Sequence, residues 1–440
     1  MKVVKFGGSS LADANQLKKV KDIIINDDAR KFIVVSAPGK GVNNKHKVTD
    51  LLAMCHELSA HDLNFNEVFE IIENIYKNIV DDLVLNIDID KILSDVKEEI
   101  TNGASYDFVV SRGEFMSAKV LAAYLDYDFV DAKDLIVFDD GELDIVKSHE
   151  NIKNILTKHD RAVVPGFFGV DEYNNVHTFS RGGSDVTGSV IAASLDCEMY
   201  ENFTDVSGFL VADPRIVKNP KPMGTITYHE LRELSYMGAR VLHEEAIFPL
   251  RDKNIPINIK NTNAPDEAGT LILSKCDVKN KNIVTGISGK KDFTVINLEK
   301  VNMNTEKDFF RKLTTVFESN DILIEYMPSS IDSVSVLVSD SSITPKLNKV
   351  LEELKIYLDV NKISWERDIS LIAVVGRGMI NEKGVSSRTF TALAKEGVNI
   401  KMISQGSSEI NIIIGVETKD FEKAIRSIYK EILQGGLNEG

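Results

Sequence analysis

Lys5 closes a short apolar run, Met1-Lys-Val-Val-Lys-Phe6, and is followed at once by Gly7, Gly8, Ser9 and Ser10. A lysine brings a full charge on a flexible stem, and paired glycines let the backbone turn and aim its N–H groups at an anion. The stretch therefore reads as a phosphate site. Two ordinary readings compete with it: a Gly-Gly after a strand also makes a plain turn, and a strand-edge lysine can extend its head into solvent. The lysine precedes the glycines, so this is not the G-x-x-x-x-G-K-[ST] loop and a different phosphate-binding architecture is implied.

Other segments carry complementary chemistry. An amino acid is distinguished from other small acids when its carboxylate and its ammonium each meet the opposite charge. Arg181, in Arg181-Gly-Gly-Ser-Asp185, can clamp a carboxylate through two parallel bonds, and Glu114, in Ser111-Arg-Gly-Glu114, can receive an ammonium. Local alternatives stand beside these roles. An acid suits the start of a helix Glu114–Leu125, Asp185 can cap the helix that follows it, and Thr49-Asp50 can begin one. Thr204-Asp205 ends a strand, Gly208 bends the next loop, and Asp213-Pro-Arg215 holds an arginine within reach of phosphate oxygens.

In this order and spacing, together with Val34-Val-Ser-Ala-Pro38, these segments resemble the aspartate kinases of the amino acid kinase family. The likeness covers the whole chain, because the part ending in Met402-Ile-Ser-Gln-Gly-Ser-Ser-Glu-Ile-Asn411 resembles that family's paired ACT regulatory domains. The resemblance implies ATP-dependent phosphorylation of the L-aspartate side chain. A carboxylate nucleophile is already an anion at neutral pH, so positioning and charge neutralisation carry the catalysis and no general base is required. Lys5 is then the catalytic lysine and Asp185 the aspartate that orients it. Thr49, Glu114, Arg181, Gly182, Gly183 and Ser184 bind aspartate, while Gly7, Gly8, Ser9, Ser36, Thr204, Asp205, Arg215 and Arg240 join Lys5 in binding ATP. Mg²⁺ is expected to be held mainly by phosphates and water. Family members commonly carry a tyrosine near Phe209-Leu210, so adenine is expected to rest more on apolar contact here.

The elements that must position these residues alternate along the chain. Short apolar runs at Val3–Phe6, Phe32–Val35, Phe108–Val110, Ala162–Val164 and Glu198–Phe203 lie between helical patterns and predict an α/β sheet covered by helices. A helix Asp185–Leu195 would aim its amino end at whatever Arg181 binds. Ile255–Lys260 and Thr270–Leu273 read as closing strands and Lys275–Lys281 as a linker. Beyond about residue 290, Phe309–Glu318, Ile322–Met327 and Val334–Val338 recur as Val385–Glu396, Ile400–Ser404 and Ile410–Val416, with Asp420–Leu433 a final helix, so a duplication is expected. The fold expectation is an amino acid kinase-type αβα sandwich over 1–285, followed by ferredoxin-like ACT modules over 290–365 and 366–440. The resemblance implies that an end-product amino acid, lysine, binds there, with Glu325 meeting its ammonium and Met303, Phe309 and Ser330 flanking it. Glu325 also reads as a solvated edge-strand charge. A homodimer or dimer of dimers through these modules is expected.

Composition narrows the partners. The 440 residues are 43% hydrophobic, enough for two or three cores, and 52 Lys and Arg against 67 Asp and Glu give a net charge of −15. That charge disfavours nucleic acid and anionic membranes. Three cysteines without C-x-x-C spacing and a start without a signal stretch fit the cytoplasm, and no Cys/His cluster marks a zinc site. A glutamate kinase and a non-catalytic amino-acid sensor are the competing readings. A dehydrogenase is not supported, because G-x-G-x-x-G is missing after the first strand.

Overall fold

Runs such as Val3-Val4 and Phe32-Ile33-Val34-Val35 are apolar on both faces, as parallel strands sandwiched between helices must be. The computed structural model describes residues 1–41, 44–180, 182–239, 244–275, 283–380 and 382–434. Arg181, Arg240 and most of the 275–281 linker lie outside those residues. The chain divides into two units, one of Met1–Phe209, Pro222–Tyr228 and Val241–Cys276, the other of Leu210–Lys221, His229–Arg240 and Asp277–Gly440.

The first unit is built on an eight-stranded sheet. Its order is Thr225–Thr227, Thr270–Leu273, Ile257–Asn261, Met199–Thr204, Lys2–Phe6, Arg30–Val35, Ala162–Pro165, Asp128–Phe129. The central strands are parallel, and Thr270–Leu273 runs antiparallel to Ile257–Asn261. Val4, Phe6, Ile33, Val35, Val163 and Phe203 pack into one core with the helices Ala14–Ile25, Val48–Ala60, Asn66–Asp82, Ile89–Thr101 and Tyr106–Leu125. Strand alternation sends Lys5, Val34 and Asn202 to the opposite face. There the helix Gly183–Ser194 packs so closely that a Cβ on Gly188 would come within 2.7 Å of the Tyr200 ring.

One sequence expectation fails here. Phe108–Val110 is no strand, and the helix starts well before Glu114. Ser105 caps a helix that runs from Tyr106 to Leu125, accepting a bond from the Phe108 amide at 3.3 Å. Val109, Val110, Met116, Ala118, Val120, Leu121 and Ala122 are all buried. A helix apolar nearly all round loses the 3.6-residue signature, which is why its first turn reads as a strand.

In the second unit a single five-stranded antiparallel sheet runs Ser333–Ser339, Gly286–Glu299, Lys362–Val375, Asn411–Glu417, Ile400–Ser404. The two central strands are 14 residues each and serve both repeats. Phe293–Glu299 pairs with Ser333–Ser339, while Gly286–Lys290 pairs with Leu371–Val375, which leans on Asn411–Glu417. The helices Phe309–Ser319 and Leu347–Leu358 belong to the first half, Val385–Lys395 and Phe421–Tyr429 to the second. Ile322–Met327, expected as a strand, makes a single isolated bridge, Tyr326 to Leu337, and a second, Ser329 to Val334, follows just beyond it. Pro328 between them has no N–H to continue a ladder.

Candidate active site

Lys5, Ser36 and Thr204 stand at the C-terminal ends of three adjacent parallel strands, where ligands of open α/β sheets bind. The Lys5 ammonium lies 2.6 Å from Asp185 Oδ1 and is 8% exposed. Asn202, beside Lys5 in register on the next strand, ties the two together: its amide donates to Asp185 Oδ1 at 2.8 Å, and its oxygen lies 3.5 Å from the Lys5 ammonium. Asp185 is thus not spent on capping. The helix cap is Gly182, whose φ of 60° favours glycine and which makes no side-chain cap bond. The first amides of that helix, at Gly183 and Ser184, have no intrahelical acceptor and are available to an anion.

The glycine loop earns its residues by close approach. Gly8 passes so near the 36–39 loop that a Cβ would sit 2.7 Å from the Ala37 carbonyl, and the Gly39 amide donates to the Gly8 carbonyl at 2.8 Å. Gly7 donates to Phe203 at 2.9 Å, and Ser36 to Phe6 at 3.2 Å. Ser9 lies in the short turn Gly8–Leu11, and Thr204 Oγ1 donates to the exposed Asp205 at 3.1 Å.

Glu114 sits in mid-helix, 5% exposed, and its Oε2 has no hydrogen-bond partner among the described residues. Burial pushes its pKa up to about 8, against the pull of the Ala37 and Glu114 amides and the charges of Arg112 and Lys5. Such an oxygen demands a cation or a proton. Thr49 is half-buried at the second position of the helix Val48–Ala60, whose cap, Lys47, makes no side-chain bond. The sign of the Glu114 effect gives a direct expectation. A carboxyl whose folded pKa is raised favours the native state below the ordinary range near 4.5 and loses that advantage as pH rises through 8. The ligand-free protein is expected to be less stable at pH 9 than at pH 6 by about 3 kcal/mol, and Glu114→Gln to flatten that slope. Denaturant midpoints across the pH range check it.

Other predicted residues fall elsewhere. Arg215, in the second unit, is exposed and held by Asp213, with Nε 3.0 Å from both carboxylate oxygens. Met303 and Phe309 are core residues at 1% and 0% exposure, packed with Leu313, Val336 and Val350. Ser330 is exposed, its amide bonded to Ser333 at 2.7 Å. Glu325 is not a solvated edge charge: the Tyr236 hydroxyl donates to its Oε2 at 2.5 Å. Within the same unit, Glu230, two residues into the helix Tyr228–Tyr236, receives the Arg377 guanidinium at 2.6 Å, the Arg377 amide at 2.9 Å and the Thr285 hydroxyl at 2.5 Å. Glu233 accepts from Asn411 at 2.6 Å. A cavity of about 410 Å³ lies between the loops around Met379–Ser386 and Gln405–Glu409.

Asn202 was outside the sequence reading, as was Phe167, whose φ of 81° is uncommon for a bulky residue and which lies against Gly183. The available signal for Asn202 was Glu201-Asn202 inside a strand that is otherwise apolar. Glu201 is satisfied by Arg30 at 2.6 and 3.2 Å, and the asparagine by the site.

A lysine at the end of a parallel strand, an aspartate in the first turn of the facing helix, a glycine loop and a helix start without a side-chain cap define a phosphotransferase of the αβα type. Residues 1–261 match the amino acid kinase family and residues 372–432 an ACT domain. Aspartokinase 3 of Bacillus subtilis is 38% identical over 99% of this chain and 100% of its own length. The aspartate kinase of Clostridium acetobutylicum superposes with a TM-score of 0.91 at 51% identity, over 98% of this chain and 100% of that one. The aspartokinase III of E. coli, in complex with aspartate and ADP, does so at 0.75 and 25%, covering 98% and 100%. The chain belongs to the amino acid kinase family. Within it the activity is that of an aspartate kinase with ACT domains.

Proposed function

We propose that the chain transfers the γ-phosphoryl group of ATP to the side-chain carboxylate of L-aspartate, giving 4-phospho-L-aspartate at the start of lysine, threonine and methionine synthesis, and that lysine inhibits it. The observation that carries the catalytic reading is the Lys5–Asp185–Asn202 cluster, in the same unit as the unpartnered Glu114 oxygen. Lys5 spreads the charge that builds on the moving phosphoryl group, and Asp185 with Asn202 fixes where its ammonium points. Glu114 takes the substrate ammonium, Thr49 and Arg181 its carboxylate, and the amides of Gly7, Gly8, Gly183 and Ser184 receive phosphate or carboxylate oxygens. Ser9, Ser36, Thr204 and Asp205 complete the nucleotide side. Mg²⁺ neutralises phosphate charge, with phosphates and water filling most of its shell, as its small octahedral coordination favours.

Catalysis belongs to 1–285 and effector binding to the modules 290–365 and 366–440. A crystal structure of the E. coli aspartokinase III holds lysine and aspartate together, which supports lysine as effector. An ammonium arriving at Glu325 competes with the Tyr236 hydroxyl, and Tyr236 ends a helix that leads within four residues to Arg240. Trp365 and Ile403, 46% and 49% exposed on the five-stranded sheet, offer apolar surface to a second copy, in a homodimer or dimer of dimers. No helix among the described residues is long and apolar enough to cross a membrane, and we place the protein in the cytoplasm.

One experiment tests the whole reading: ADP release and hydroxamate trapping with L-aspartate or L-glutamate, with and without L-lysine. Aspartate alone is expected to give product, and lysine to suppress it. Equal rates with glutamate would sink the substrate assignment; insensitivity to millimolar lysine would sink the effector.

A further inference from the structure

The helix Tyr106–Leu125 has a second working face. Glu114 belongs to the candidate active site, whereas Phe108, Arg112, Phe115 and Lys119, spaced four, three and four residues apart, share another stripe. That stripe lines a cavity of about 640 Å³ closed by Phe129, Asp131 and Phe168 among others, a volume suited to a small organic ligand.

Its charges are poorly matched by the protein itself. Arg112 is 8% exposed, yet among the described residues its guanidinium donates only to the Ser111 hydroxyl, at 2.9 and 3.3 Å, and to the Phe108 carbonyl at 3.3 Å. Among the described residues no carboxylate lies within ion-pairing distance. The rings of Phe108, Phe115 and Phe168 surround it at 4.3, 4.6 and 5.2 Å. Burial lowers its pKa, but it stays charged at neutral pH. Five N–H donors with so few acceptors leave a buried cation under-satisfied, which costs stability unless something fills the gap. Lys119 repeats the theme, lying over Phe115 and Phe129 at 4.9 and 4.7 Å with no acid in contact among the described residues. The side chain of Asp131, half-buried in the same cavity, accepts among the described residues from the Lys133 amide alone, at 3.2 Å.

We propose that this cavity binds a free α-amino acid with an apolar, best an aromatic, side chain: its carboxylate on Arg112 and Lys119, its ammonium on Asp131, its hydrocarbon body among the phenylalanines. The site is distinct from the aspartate pocket. Lys133 and His159 also line the space, beside Asp131 and Asp134, so an anion is not repelled; inorganic phosphate is disfavoured because it has no hydrocarbon body to cover the phenylalanine rings and no ammonium for the acids.

The test is calorimetric titration of the full-length protein with L-phenylalanine, phenylacetate and inorganic phosphate, in the presence of saturating L-aspartate. Phenylalanine is expected to bind in the millimolar range or tighter, and phenylacetate, lacking the ammonium, more weakly. Arg112→Met should weaken phenylalanine at least about tenfold, since it removes a desolvated charge partner. Lys119→Gln should weaken it several-fold, and Asp131→Asn should erase the preference over phenylacetate. These two changes lie at partly exposed positions and serve even if Arg112→Met fails to fold. No phenylalanine binding, binding untouched by the Lys119 and Asp131 variants, displacement by aspartate, or phosphate bound as tightly as phenylalanine would each overturn the proposal.

Discussion

Lys5→Ala is expected to lose turnover by on the order of 10²-fold or more while calorimetric aspartate affinity stays near wild type. The ammonium at 2.6 Å from Asp185 is aimed by two strands and a helix at charge that appears only in transit, so its loss falls on kcat. A hundredfold is about 3 kcal/mol of transition-state stabilisation, within what one placed donor supplies in a dry site. Asn202→Leu keeps the charge and removes the tether; it should cost roughly tenfold in kcat, with KM for aspartate little changed. Steady-state ADP release for both variants decides the matter. A Lys5→Ala enzyme with near-normal turnover would remove the phosphate reading of the opening residues.

Arg377→Met is expected to destabilise the second unit by about 3 kcal/mol, since Glu230, 1% exposed, then loses its guanidinium partner. The damage should appear first in the helix Tyr228–Tyr236, as faster amide exchange at Leu231–Tyr236, because Glu230 on that helix takes both the Arg377 amide and its guanidinium. The double change Glu230→Leu with Arg377→Met should recover much of the loss, as apolar replacement of a buried ion pair commonly does. Exchange rates unaltered by Arg377→Met would mean the helix is held by other contacts.

How much of this was legible depended on how local each signal was. The strands around Lys5, the helix after Arg181-Gly-Gly and most of the repeated βα pattern past residue 290 are written in short-range periodicity and stand where that periodicity puts them, the strand expected at Ile322–Met327 excepted. Asn202 was legible only as half of a polar pair, Glu201-Asn202, inside a strand, and that pair carries no sign of the lysine that reaches it from residue 5. The start of the Tyr106–Leu125 helix was hidden by its burial on nearly all sides. The tie between Glu325 and Tyr236 spans 89 residues of chain, and nothing in either neighbourhood announces it. The single shared sheet escaped notice for the same reason: duplication implies two similar pieces, but not that their central strands are continuous.

That continuity sets an order of assembly. Gly286–Lys290 finds its neighbour, Leu371–Val375, only across the entire first repeat, so an unstructured chain would have to close a loop of some 80 residues to bring them together. Once Phe293–Glu299 and Lys362–Ile369 have paired through the first repeat, the remaining halves of the two strands are already adjacent and in register, and the ladder zips onward without a further search. The first repeat thus acts as a template for the second. A lesion in it, such as a proline in Val295–Leu298, should delay both halves in a refolding experiment, whereas a lesion in Ile412–Val416 should leave the first half folding at its own rate.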